Sequence, residues 1–172
     1  MVDIIQTNLP TSIDTDPTSD QIVRHLRHAN KIANRALYFG HHPFGCILVG
    51  PDNETVLMEQ GNVDTVNHAE STLARNACTN FSPEYLWNCT LYTTFEPCVM
   101  CAGTLYWANI GRIVYGATEK HLLELTGDDT KNPTLDIPCR YVFEHGQKDI
   151  KVWGPFPELE VELVEPHQNF WK

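Results

Sequence analysis

The residues best equipped for chemistry in this chain are two thiols, one imidazole and one carboxylate. Pro97-Cys98-Val99-Met100-Cys101 sets two cysteines three positions apart, so on the first turn of a helix both sulfurs point to the same side. Pro97 suits the first helical position, and the positive end of the helix dipole lowers thiolate pKa values, which favours metal binding. Alone, the pair is equally compatible with a thioredoxin-like redox centre, while a structural zinc knuckle would need a second such pair, which the sequence lacks. His68 and Glu70, in Asn67-His68-Ala69-Glu70-Ser71, change the balance. One imidazole and two thiolates leave a tetrahedral Zn²⁺ with one open corner, the mark of catalytic zinc. Glu70 then stands beside that corner as a proton carrier, a role that contributes about 10²–10⁴ in rate. The chemistry is hydrolytic.

These residues need a scaffold that brings positions 68–70 and 98–101 together. The stretch from Thr18 to Gly40 carries Ile22, Val23, Leu26, Ala29, Ile32, Ala33, Ala36 and Leu37 at helical spacing, with Thr18 and Gln21 as a capping box and Gly40 as a stop. Residues 44–50 and 55–62, joined by Pro-Asp-Asn-Glu, read as an antiparallel hairpin. A helix is expected to begin at His68. A buried strand over 89–94 runs into the cysteine turn, a helix continues over 98–109, and 112–117 is a further strand. Residues 120–125 and 135–146 look helical despite Pro138, 150–155 looks like a strand, and 158–172 reads as a closing helix broken near Pro166. Later strands alternate with helices, so the expected fold is α/β, a three-layer α/β/α sandwich on a central mixed five-stranded sheet.

A chain of 172 residues is long enough to bury a core without metal or disulfides. No apolar run approaches a membrane span, and the N-terminus lacks the pattern of a signal peptide. The expectation is a cytoplasmic protein with a flexible acidic leader over 1–17 and a single domain over 18–172. Cysteines in a reducing compartment are ligands or buried hydrophobes, and Cys46, Cys78, Cys89 and Cys139 are expected to be the latter. With 12 basic against 22 acidic residues, net charge −10 and no basic run, the composition favours a small substrate over nucleic acid.

The His-x-Glu of residues 68–70 followed by the Pro-Cys-x-x-Cys of 97–101 resembles the signature of the zinc nucleobase deaminases in the cytidine/deoxycytidylate deaminase superfamily. The likeness runs from about Pro43 to Ala117. It implies zinc on His68, Cys98 and Cys101, with Glu70 moving a proton from water to a ring nitrogen and then to the departing ammonia. It also implies that Asn62 bonds the substrate base, that Phe44 lines its pocket, and that Ala69 offers a backbone N–H; the alternative for Asn62 is an Asx turn ending a strand. Residues 96–117 look most like the guanine deaminase branch. There Trp107 would wall the base pocket, unless it is an ordinary core residue, and His121 stands near where an aspartate reads guanine, with Glu119 and Glu124 close by. Phe170 and Trp171 end a segment that either covers the active site or docks a terminal helix, and His41 and His42 are expected at the surface, the alternative being that they line the pocket mouth. The implied function is deamination of a free purine base or nucleoside, guanine-type first, by a homodimer. The alternatives are a tRNA adenosine deaminase, a cytosine or cytidine deaminase, and a catalytically silent partner protein.

Overall fold

The computed structural model describes residues 15–127, 130 and 132–171. The leader expected over 1–17 lies, up to position 14, outside the described residues. Elements follow in the order α1 (Ser19–Tyr38), β1 (Gly45–Val49), β2 (Val56–Gly61), α2 (Ala69–Asn80), α3 (Pro83–Trp87), β3 (Thr90–Phe95), α4 (Val99–Trp107), β4 (Arg112–Ala117), α5 (Glu119–Thr126), α6 (Cys139–Glu144), β5 (Lys151–Trp153) and α7 (Glu160–Val164). Short 3₁₀ turns flank α7 at Pro157–Leu159 and Glu165–His167. No helix among the described residues is long and apolar enough to cross a membrane.

The five strands form one mixed sheet in the order β2-β1-β3-β4-β5, antiparallel from β2 through β3 and parallel from β3 to β5. β1, β3 and β4 are buried along their whole length, because helices cover both faces. Alternate side chains show the layering. Ile47, Val49, Tyr92 and Val114 pack with Ile22, Leu26 and Ile32 of α1 and Leu163 of α7. Cys46, Leu48, Leu91, Ile113 and Tyr115 face the other way, onto Leu73 and Ala77 of α2, Leu105 of α4 and Phe143 of α6. The expected three-layer sandwich is the fold observed.

Local chemistry accounts for the element ends. Thr18 and Gln21 form the expected reciprocal capping box, and Gly40, just past the end of α1, has φ +82°. Gly45 allows α1 to lie directly on β1, since a Cβ there would collide with the backbone at Ala29 and Ala33. Three expectations need correction. Pro97 is not the first helical residue: Cys98 is the N-cap of α4, so the proline precedes the cap. The helix expected over 135–146 occupies only Cys139–Glu144, because Pro138 disfavours helical geometry in the residue before it. Cys78 is exposed near the end of α2, unlike the buried Cys46, Cys89 and Cys139. The short helix α3, capped by Ser82 with Pro83 behind it, was not read from the sequence, since five residues are too few to display a period.

Candidate active site

Parallel strands β3 and β4 end side by side, Phe95 opposite Ala117, and the chain leaves both at the same edge of the sheet. β3 delivers Glu96 and Cys98, and β4 delivers Thr118 and Glu119. The antiparallel hairpin meets that edge from the other side, where the Asn62 N–H donates to the Phe44 carbonyl at 3.0 Å just beyond the β1–β2 pairing. Crevices outside the carboxyl ends of parallel strands are where open α/β sheets bind ligands. Here the crevice is walled by Phe44, Asn62, His68, Glu70, Phe95 and Glu96, together with Cys98, Glu119, Leu122 and Asn132.

His68 and Cys98 are the N-caps of α2 and α4, so two helix starts converge on one point. His68 Nδ1 lies 3.6 Å from Cys98 Sγ and 3.6 Å from Cys101 Sγ. Ligand bonds of about 2.0–2.1 Å to nitrogen and 2.3 Å to sulfur, at tetrahedral angles, set the ligand atoms about 3.6 Å apart. The triad therefore fits Zn²⁺ as it stands, and no other group of three potential ligands comes together among the described residues. A backbone hydrogen bond at Thr65 orients the imidazole. The hydrogen bond from the Cys101 thiol, with His68 beside it, holds the Cys98 thiol well below its ordinary range, which favours the thiolate form that a metal takes.

Glu70 sits in the first turn of α2, only 5% exposed, with Ala69 buried between it and His68. Thr93 Oγ1, on β3, donates to Glu70 Oε1 at 2.6 Å, and Glu70 Oε2 lies 3.5 Å from Cys101 Sγ. Burial pushes the Glu70 carboxyl up, against the Thr93 bond, which favours its charged form. The carboxylate is thus aimed at the metal position without being one of the three ligands.

Asn62 is 3% exposed; its Nδ2 donates to the Asp64 carbonyl at 3.0 Å, while its Oδ1 is buried without a partner in the crevice. An orphaned acceptor of this kind costs stability unless a ligand satisfies it. Oδ1, the atom that would accept in an Asx turn, accepts nothing among the described residues, so the Asx-turn reading does not hold and the free Oδ1 leaves the base-binding one available. Phe44 packs edge-on against Phe95 and His167, forming an apolar wall.

Two expected pocket residues lie elsewhere. Trp107 is 82% exposed at the end of α4, beside Tyr106 and Lys148, and is neither a wall of the crevice nor a core residue. His121 points to the C-terminal segment and pairs with Glu160 of α7. The physical reason is helical phase: α5 turns Glu119 and Leu122 toward the crevice and carries His121 around to the other side. Glu119, noted in the sequence only as a neighbour of His121, is the buried one. Glu96 was missed altogether. Its carboxylate accepts from the Glu119 N–H at 3.2 Å and the Cys139 N–H at 2.9 Å, tying the starts of α5 and α6 to the metal loop. A carboxylate directly before Pro-Cys was the available signal.

The C-terminal segment packs against the same wall. Trp171 Nε1 donates to His167 Nδ1 at 3.2 Å, and Phe170 and Trp171 both meet the His42 ring. His42 is therefore engaged by the tail, whereas His41 is exposed as expected.

Residues 19–117 match the family model for the cytidine and deoxycytidylate deaminase zinc-binding region. The chain is 38% identical over 157 residues to the "Probable cytosine deaminase" of Schizosaccharomyces pombe, covering 89% of this chain and 94% of that protein. It is 39% identical over 92 residues to the guanine deaminase of Bacillus subtilis, covering 51% of this chain and 58% of that one. A solved structure from "Biochemical and Structural Studies of A-to-I Editing by tRNA:A34 Deaminases at the Wobble Position of Transfer RNA" superposes with a TM-score of 0.61 at 26% identity, covering 84% of this chain and 99% of that one. Two helix starts that present a zinc triad, a carboxylate held against it, and a match spanning the whole of that scaffold lead to one conclusion: the chain belongs to the cytidine and deoxycytidylate deaminase family and is a zinc-dependent deaminase.

Proposed function

We propose that the chain hydrolytically deaminates a free nucleobase or its nucleoside, a purine of the guanine type first, using Glu70 as the proton carrier. The observation that carries the reading is the character of the crevice. It has an orphaned amide oxygen at Asn62, an aromatic wall at Phe44 and Phe95, and three carboxyl groups, with no lysine or arginine among its described wall residues. Such walls suit a neutral ring with N–H donors and do not suit a phosphodiester. Zinc, when bound by His68, Cys98 and Cys101, supplies the Lewis acid that makes water nucleophilic near neutral pH. Glu70 accepts the proton that water gives up and passes it to a ring nitrogen. Oxygen bonds to the amino-bearing carbon, the C–N bond breaks, and the amine leaves as ammonia after a second proton transfer through the same carboxylate. Asn62 Oδ1 accepts from a ring N–H and so orients the ring.

The guanine preference rests on the similarity to the Bacillus subtilis enzyme through the zinc-bearing half, since Trp107 and His121 do not reach the crevice. A second reading, a cytosine or cytidine deaminase, is favoured by the near full-length similarity to the Schizosaccharomyces pombe protein. A homodimer in the cytoplasm belongs to the same proposal, and analytical ultracentrifugation tests the dimer. Ammonia release from guanine, guanosine, adenine, adenosine, cytosine and cytidine tests the substrate. Turnover of guanine or guanosine, lost by at least 100-fold in Glu70→Gln, supports the first reading. Turnover of the pyrimidines alone replaces it with the second.

A further inference from the structure

The loop over 62–68 joins the end of β2 to the start of α2, and it carries the orphaned Asn62 amide at one end and the candidate metal ligand His68 at the other. Residues 63–67 are all exposed, so burial does little to fix the shape of the loop and hydrogen bonds must do it. Three of those bonds end on one carboxylate. Asp64 Oδ1 accepts from the backbone N–H groups of Val66 at 2.8 Å and Asn67 at 2.7 Å, and Asp64 Oδ2 accepts from Asn67 Nδ2 at 2.9 Å. The bonds from Asn67, with that from Val66, hold the Asp64 carboxyl down at about 2, so it is ionised near neutral pH. The Val63 N–H donates to the Asn67 carbonyl at 3.1 Å and closes the turn from the other side.

Two backbone groups of this turn reach the site. The Asp64 carbonyl accepts from Asn62 Nδ2 at 3.0 Å, and the Thr65 backbone bonds the His68 imidazole. A carbonyl accepts and never donates, so the first contact decides which end of the Asn62 amide faces the crevice: nitrogen to the loop, oxygen to the ring. The second contact sets the plane of the imidazole whose Nδ1 faces both thiols. We infer that Asp64 is a positioning residue whose carboxylate fixes the 62–68 turn, so that one exposed side chain sets both the hydrogen-bonding sense of Asn62 and the seat of the zinc-ligating histidine. The substrate half of the inference rests on the proposed deaminase reading and deepens it. The metal half stands on the geometry around His68 alone.

The test uses the full chain and its Asp64→Ala, Asp64→Asn and Asn62→Ala variants, with circular dichroism recorded for each. Zinc affinity is measured by competition with a colorimetric chelator. KM and kcat are measured on the zinc-loaded proteins by ammonia release, using whichever of guanine, guanosine, cytosine and cytidine the wild type turns over fastest. Asp64→Ala is expected to weaken zinc binding about 10-fold, the low end of the cost of losing support behind a ligand, and to raise KM about 5-fold, the cost of one misdirected neutral hydrogen bond. Asp64→Asn keeps an oxygen for both backbone N–H groups and recovers most of both losses. Asn62→Ala raises KM alone and leaves zinc affinity at its wild-type value, because the two halves meet only through the turn. Wild-type zinc affinity in Asp64→Ala overturns the metal half, and wild-type KM overturns the substrate half. An Asp64→Asn variant as impaired as Asp64→Ala ends the assignment, since the accepted N–H bonds would then not be what matters. Loss of the circular dichroism spectrum in Asp64→Ala ends it too, by making the carboxylate a requirement of folding. Absence of ammonia from every compound with folded, zinc-loaded wild type refutes the deaminase reading and the substrate half with it, while the zinc competition still decides the metal half.

Discussion

Thr93 gives the sharpest test of how the fold positions Glu70, the proposed proton carrier. Its hydroxyl is fully buried on β3 and donates a 2.6 Å hydrogen bond to Glu70 Oε1, while Glu70 itself is almost wholly withdrawn from water. Replacing Thr93 with valine keeps the β-branched shape and removes only the donor. A hydrogen bond to a charged group contributes about 1.5–3 kcal/mol. If the whole of that falls on the transition state, at about 1.36 kcal/mol per tenfold, Thr93→Val lowers kcat/KM by about 10- to 150-fold. The effect is expected in kcat, because the bond steadies a group that moves protons and holds no part of the substrate. The measurement is steady-state ammonia release, coupled to NADH oxidation, with zinc content and Tm recorded for the same preparations. A variant with full zinc, unchanged Tm and wild-type kcat/KM refutes the reasoning. So does a loss of activity that tracks zinc loss, which would show the hydroxyl serving the metal triad instead.

Three further outcomes follow from the same geometry. Glu96→Gln replaces a carboxylate that accepts two backbone N–H groups with an amide that can accept only one and turns a donor toward the other; urea unfolding should show a loss of about 2–5 kcal/mol, and an unchanged midpoint would remove Glu96 as the tie between α5, α6 and the metal loop. Chelation of zinc should abolish turnover while leaving the far-ultraviolet circular dichroism in place, with activity returning on added Zn²⁺, because the two packed faces of the sheet do not include the metal; collapse of the fold on chelation would make the site structural. His167 is buried under the tail, and burial lowers its pKa from the ordinary 6.5 to about 3. The unfolded chain therefore binds the proton first, so this group's contribution to stability is complete above about pH 6.5. That contribution falls by about 1.4 kcal/mol per pH unit as the pH drops from there toward about 3. Unfolding at pH 5, 6 and 7 should be less steeply pH-dependent in His167→Phe than in the wild type, and parallel slopes would refute the assignment.

Much of this was legible in the chain itself. α1 declares its buried face through residues at helical spacing, and Thr18 and Gln21 mark its start, because capping and periodicity are local properties. The three candidate metal ligands were legible for a similar reason: each stands at or within the first turn of a helix, so short-range spacing carries the information. The α5 region failed on phase. From sequence, His121 and Glu119 are near neighbours with equal claims, and only the seating of α5 against the crevice decides that Glu119 is buried there and that His121 faces Glu160. Trp107 failed in a different way, since an aromatic residue late in an apolar helix gives no local sign that the helix leaves the core just before it.

Residue types and their spacing thus determined most of the elements, the candidate zinc triad and the acid beside it, since these depend on contacts within a turn or two of the chain. The tertiary structure decided which side chains share the crevice. It set Glu96 and Glu119 there from the ends of neighbouring parallel strands, brought the tail onto Phe44 from the far end of the chain, and left Trp107 in solvent. Those placements depend on how strands pair and helices pack across long stretches of sequence, and no short motif encodes them.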